Sequence, residues 1–587
     1  MTNSSSVSSA LSPANFLRLL FLRSPAPLCV SALSFFFLFC CTGDTACGGQ
    51  KNSESQPSYR IAGKIVDATS NTSITGAELS FSEAAAEMKV TSDEQGRFLF
   101  APLDPGKYTL QASARGYVTQ DYNQHHGYST AIAVGPGLDS EHVLFHLHRQ
   151  AVITGTISDE RGEPVRSARV LLFGKHRGPG KHTVLLTTMA QSNDLGVYRF
   201  SRLPAGKYFV AVSARPWYAQ FGFSGRAEFQ EGEGALGRSF FTSFASLPSA
   251  KSDPKLDVVY PVTFFPGVTD EHAATELVLN PGDTQQADVR LQAIASVHIR
   301  LTGLSPNQPS APGQGVIAKL KFFDSFESSI PVASRQLSPG TFELSGLPPG
   351  EITLVLNSSR DGENESRIIH ANLGDGDTVD AGISAAATVS GKVIPAGSAA
   401  AVSGMVSLAA QDGRFLAKNV GKDSTFLFPR VEPGTYDLEA NLGDANDYVQ
   451  ELTATGAKVV DHGVMIEGTE EVHLLVRMGH GLGEIQRLVR SGDKPEAGAM
   501  VLLIPASGEN LERYSRVDQS DSDGTFNLKT IVPGNYLLLA LDDWDLDWQD
   551  PKALAPYRAK AQPLEISASE VRTLVVEQQK RANSPQP

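Results

Sequence analysis

The chain has 587 residues, 53 glycines and 34 prolines, and a formal net charge of -14 with its Lys and Arg scattered along the sequence. This length provides for several domains, and the turn-rich composition with little helical periodicity points to an all-β array. An acidic chain without a basic face excludes nucleic acid as a partner.

All four cysteines (Cys29, Cys40, Cys41, Cys47) fall in the first 47 residues, so the rest has no disulfide, Cys-zinc site or thiol nucleophile. Arg18 and Arg23 precede the apolar run LCVSALSFFFLFCC (Leu28 to Cys41) and a small-residue exit, the pattern of a secretory signal. The run is short for a membrane helix, which takes about 20 residues. An uncleaved anchor and a lipoprotein remain as alternatives, although neither Cys41 nor Cys47 follows a clean lipobox. Residues 1–49 are thus expected to be a signal peptide or membrane anchor, and 50–58 a polar linker. Membrane contact, if any, would come through this segment alone.

Five copies of one motif follow. GRFLFAPLDPGKYTLQA from Gly96 recurs as GVYRFSRLPAGKYFVAV from Gly196, GTFELSGLPPGEITLVL from Gly340, STFLFPRVEPGTYDLEA from Ser424 and GTFNLKTIVPGNYLLLA from Gly524. Phe98 and Phe100 share one strand face, as do Tyr108, Leu110 and Ala112. Between them Asp104-Pro105-Gly106-Lys107 reads as a type II turn with a left-handed glycine, and Asp93 to Gly96 and Asp521 to Gly524 as turns feeding the first strand. The motifs start 100, 144, 84 and 100 residues apart, which suits one sandwich of about 100 residues per repeat.

Each repeat opens on a Gly-x-Ile/Val strand (Gly63, Gly155, Gly391, Gly483), except the third, and closes on strands such as HVLFHLH (His142 to His148) and VRTLVVEQ (Val571 to Gln578). The expectation is a tandem array of about five antiparallel β-sandwiches: 59–149, 150–293 with an aromatic-rich insertion at about 214–259, a degenerate 294–384, 385–478 and 479–578, then a tail at 579–587.

The opening G-x-I-x-D-x-x-G-x-P and the later D-x-x-G-x-F-x-F-x-x-L-x-P-G-x-Y-x-L-x-A resemble the carboxypeptidase regulatory-like domain, best in repeats one, two and five. The resemblance implies that these all-β repeats are prealbumin-like, Ig-like seven-stranded sandwiches related to Cna-B-type and starch-binding-like domains. Such domains serve as spacers, adhesion modules, sugar binders and accessory domains, so the fold is implied more firmly than the work.

The parts of a metallopeptidase are missing: no His is followed by Glu three residues on, and HExxH and GxSxG are absent. No catalysis and no cofactor are expected. KHRGPGKHT (Lys175 to Thr183) lacks the spacing of a phosphate loop and reads as a polar hairpin tip. Asp521-Ser522-Asp523-Gly524 lacks the downstream Glu of a calcium loop and reads as a turn. His146 and His148 share the outer face of one strand about 7 Å apart, the one candidate metal pair.

All three tryptophans lie just after the Tyr-led strand: Trp217, beside Tyr218, in repeat two, and Trp544 and Trp548, beside Asp543 and Asp547, in repeat five. Rings next to carboxylates at a loop end can stack on sugars while the acids bond hydroxyls; the alternative is that they plug the sandwich ends or pack repeats together. The reading is an extracytoplasmic envelope protein, periplasmic, surface-borne or secreted, acting as a rod-like spacer and interaction scaffold. Its partners are expected to be an envelope protein or a polysaccharide such as a cell-wall glycan. Carbohydrate binding through the loop aromatics is one alternative, and an accessory subunit of a peptidase or outer-membrane transporter another.

Overall fold

The first residue of each motif copy sets the geometry of its sandwich. Gly96, Gly196, Gly340 and Gly524 have φ of 75°, 72°, 77° and 79°, and Ser424 holds the same left-handed conformation at 66°. At Gly96 and Gly196 a Cβ would lie 2.6 and 2.4 Å from the carbonyl oxygens of Ile65 and Ile157, so both conformation and space require glycine there. In repeats one, two and five the turn between the two motif strands differs from expectation: whereas Gly350 and Gly434 have φ of 111° and 154°, Gly106, Gly206 and Gly534 are outside the left-handed region, which rules out type II turns there. Instead the ring of the tyrosine two residues on folds back over the glycine, 3.4–3.8 Å from where a Cβ would sit at Gly206, Gly534 and Gly106. The tyrosine hydroxyl then donates to the carbonyl four residues earlier: Tyr108 to Asp104, Tyr208 to Pro204 and Tyr436 to Glu432 at 2.8 Å, and Tyr536 to Val532 at 2.7 Å. The third repeat has Ile352 at this position and lacks the bond.

The computed structural model describes residues 59–81, 88–178, 181–219, 254–304, 316–360, 363–382, 386–397, 403–468 and 470–581. The expected signal segment and linker, the body of the repeat-two insertion and the last six residues lie outside them. The described residues form an all-β protein of tandem sandwiches, each with its own apolar core: Ile61, Phe100 and Phe145 in the first, Ile153, Tyr198 and Val210 in the second, Ile299, Leu344 and Leu354 in the third, Val389, Phe428 and Tyr436 in the fourth, and Ile485, Phe526 and Leu538 in the fifth. The alternation is as the motif dictates, with Phe98 and Phe100 buried and Leu99 between them exposed.

The opening strand lies between the motif strand, antiparallel, and the closing strand, parallel. Tyr59–Asp67 pairs with Arg97–Leu103 and Val143–Leu147, and Gly483–Ser491 with Thr525–Ile531 and Val571–Gln579. The same parallel closure occurs in the other three. The last strand thus runs in the same direction as the first, a pairing that reading the strands as wholly antiparallel misses. The short strand Ile294–Ala295 pairs with Val258–Val259, so the second sandwich extends past residue 293.

The described residues form two units. Sandwich four, residues 385–479, is one; sandwiches one, two, three and five form the other. Among the described residues no helix is long and apolar enough to cross a membrane.

Candidate functional site

The aspartate of the opening motif is structural. Asp67 is fully buried, and its oxygens accept from the amides of Thr69 and Ser70, from Tyr117 Oη at 3.0 Å and from Arg149 Nε at 2.6 Å. Burial alone would raise its pKa, but the Ser70 amide, Arg149, the Thr69 amide and Tyr117 outweigh it and hold the carboxyl far below the usual range. Asp159 caps the corresponding turn in repeat two through the amides of Arg161 and Glu163, 2.8 Å each.

The loop end of repeat five carries four of the expected site residues. Trp548 is 2% exposed and packs with Leu554 and Tyr557 against Met500, Leu502, Ile504, Leu539 and Leu541. The helix Pro551–Arg558, capped by the Asp550 carboxylate on the Lys552 amide, lays Leu554 and Tyr557 over the outer face of the sheet. Asp543 is buried beside this core, accepts from Tyr557 Oη at 3.1 Å and pairs with Arg581 at 3.5 Å. Asp547 is half-buried. Trp544 is partly buried, donates from Nε1 to Gly498 O at 3.0 Å, and stacks on His125 of repeat one with centroids 5.0 Å apart and planes 5° from parallel. Tyr128 of repeat one covers more of the same ring at 5.8 Å. Trp548 thus belongs to a core and Trp544 to an interface between repeats, the placement of rings that plug a sandwich end or pack repeats together rather than of free platforms.

The loop end of repeat two is different. Trp217 is 87% exposed and meets Tyr218 edge-on at 5.8 Å. Tyr218 donates to Glu160 Oε1, and Tyr260 to Glu160 Oε2 at 3.2 Å, so one carboxylate fixes two phenols. Desolvation, with Glu160 adding to it, pushes the Tyr218 hydroxyl up to about 12, so it stays protonated at neutral pH and donates to Glu160. Alongside runs a shallow open cleft whose walls include Ala214, Arg215, Pro216 and Tyr260 from repeat two and Ile330 and Pro331 from repeat three.

His146 and His148 are exposed on one strand face, as the alternation predicts. Nδ1 of His148 lies 3.1 Å from Gln120 Oε1, and desolvation followed by the charge of His146 lowers its pKa. Among the described residues no carboxylate, Cys or further His joins the pair as a third ligand. Nor do the described residues bring Trp217 into ring contact with Trp544 or Trp548.

The contacts that sequence reasoning missed join repeats distant along the chain. Lys107 Nζ of repeat one donates to Asp521 Oδ2 at 2.5 Å and Thr525 Oγ1 at 2.6 Å of repeat five. Gln519 Nε2 donates to Asn123 O at 2.6 Å and Thr130 Oγ1 at 2.8 Å. Nothing local marks these residues as partners.

A search of curated proteins finds no match. Among solved structures, the chain is similar to the minor pilin of Streptococcus agalactiae, with 10% identity over 34% of this chain and 98% of that one and a TM-score of 0.19. A streptococcal ancillary pilin is 14% identical over 49% and 100%, also with a TM-score of 0.19. The full-length pilus protein of Streptococcus pneumoniae is 9% identical over 75% and 99%, with a TM-score of 0.14. TM-scores this low carry no argument. The family comparison is more direct, since the carboxypeptidase regulatory-like domain model matches twice, at residues 60–145 and 152–220. Over these residues the first two sandwiches are similar to carboxypeptidase regulatory-like domains.

Proposed function

We propose that this chain is an exported, non-catalytic scaffold of the cell envelope that holds and presents surfaces to a partner. The observation that carries this reading is the employment of its buried acids. Asp67, Asp159 and Asp543 are each taken up by backbone amides, phenols or a guanidinium that tie a loop to its own sandwich. Export rests on the sequence of residues 18–49. Purified chain that hydrolysed envelope peptides or glycans would overturn the non-catalytic part.

A second reading, glycan binding, is favoured by one residue, Trp217, whose ring stands in solvent beside a fixed phenol and an open cleft. The test is retention of the mature chain on a panel of polysaccharides and cell-wall fragments, compared with Trp217→Ala. Retention lost in the variant makes this a sugar-binding protein and locates its site. Retention unchanged in the variant sinks the Trp217 reading, and no retention on any glycan turns the search to protein partners.

A further inference from the structure

Two interfaces join sandwiches within the larger unit, and their chemistry differs. Repeats two and three share an apolar cluster: Phe173 stacks on Phe322 at 5.7 Å, and Phe264, Phe323 and Phe326 close around them. Among the described residues, repeats one and five share no such cluster, and each keeps its core to itself. Their contact consists of polar bonds around one flat stack, that of His125 on Trp544. Apolar interfaces of the first kind are characteristic of permanent association, and polar ones of the second kind of association that opens.

The turn at Asp521 shows that the polar contact is built in. In repeats one and two the turn residue caps its own loop: Asp93 Oδ1 accepts from the amides of Gln95 and Arg97, and Asn193 Oδ1 from those of Leu195 and Val197. Asp521 holds the equivalent position, with Gly524 N–H on its carbonyl at 2.8 Å, but its carboxylate turns outward. Oδ1 accepts from the Ala131 amide of repeat one at 3.0 Å and Oδ2 from Lys107. Ser522 follows: its hydroxyl accepts from the Ala133 amide at 2.8 Å, and its amide donates to Ala131 O at 2.9 Å. The capping of Thr525 passes to Asp523 at 3.1 Å. A turn that closes on itself elsewhere here satisfies the edge of a strand in another repeat.

We propose that repeat five docks on repeat one through a reversible latch, centred on Lys107 and Asp521, whose closure covers the Trp544 ring with His125 and Tyr128. The proposal requires no ligand and stands apart from the glycan reading. Opening it exposes an aromatic face of repeat five and the edge of strand Ile132–Val134 in repeat one, while the phenylalanine contact between repeats two and three stays shut.

The experiment uses the mature full chain, which has no cysteine after Cys47, so single cysteines at Glu94 and Lys529 can carry a donor and an acceptor dye. Energy transfer reports docking. It is expected to fall between about 0.1 M and about 1 M salt, where the Debye length drops from about 10 Å to about 3 Å. Lys107→Glu is expected to lower the ratio of docked to open chains by about tenfold or more at low salt. The reversed pair Lys107→Glu with Asp521→Lys should recover at least half of the transfer. In a Trp217→Phe background, where Trp548 is buried, acrylamide quenching should rise with Lys107→Glu as Trp544 is uncovered. Transfer unchanged by both salt and Lys107→Glu would mean a permanent joint and overturn the latch, and transfer absent from the parent chain at every salt would mean the repeats never dock. Failure of the reversed pair to recover transfer would remove Lys107 and Asp521 as the centre. Lost transfer with unchanged quenching would overturn the covering of Trp544.

Discussion

A tyrosine hydroxyl returned to the carbonyl four residues back recurs in four of the sandwiches, each time on a ring folded over the preceding glycine. A neutral hydrogen bond of this kind contributes about 1 kcal/mol, and leaving the carbonyl unsatisfied costs a similar amount. Tyr536→Phe is therefore expected to destabilise the fifth sandwich by about 1 kcal/mol, read as a shift of a few degrees in its thermal transition. In the same sandwich, burial raises the Asp518 carboxyl to about 6, against the pull of the Asn527 and Gln519 amides. A raised folded pKa means stability that is present below the unfolded value and lost as pH rises through about 6. Comparing denaturation midpoints of the parent and Asp518→Asn should show the parent losing ground between about pH 4 and about pH 7; parallel curves across that range would refute the assignment.

At the scale of the element, the informative case is the helix Pro551–Arg558. It covers an otherwise solvent-facing sheet and turns Trp548 into core. Trp548→Ala should cost about 3–5 kcal/mol in unfolding free energy, whereas Trp217→Ala should stay within about 0.5 kcal/mol, a contrast that a single denaturant series would test. The sequence contained the start of this helix, since Asp550-Pro551 is a cap followed by a first-turn proline, but eight residues with Pro556 among them give little periodicity to read. The strands were far more legible, because alternation such as Phe98-Leu99-Phe100 leaves only one face for the core. The Pro-Gly turn of repeats one and five misled for a physical reason: the dipeptide favours a left-handed glycine in isolation, yet at Gly106 and Gly534 the glycine makes room for a ring.

Across the larger unit, the phenylalanine cluster predicts that repeats two and three lose structure together. Phe322→Ala, which empties a site 1% exposed between them, should raise amide exchange in Arg169–Gly178 of repeat two as well as in repeat three. A change confined to repeat three would mean that the two sandwiches are independent. A string of sandwiches that meet only their neighbours in sequence does not describe this unit, because Lys107 bonds Asp521 across more than 400 residues. That part of the architecture was illegible: a salt bridge between surface residues leaves no periodicity, and Lys107 and Asp521 look like any solvated turn. The loop-end tryptophans were found from the sequence, but their exposure depends on a helix and a partner repeat that no local pattern announces.

The parallel pairing of first and last strands has a mechanical consequence. In each sandwich the chain enters at one end of this pair and leaves at the other, so tension along the polypeptide pulls the two strands past one another lengthwise. Their hydrogen bonds then bear the load side by side in shear, and none can be peeled away ahead of the rest. Each sandwich is thereby suited to carry a pulling force between whatever holds its two ends.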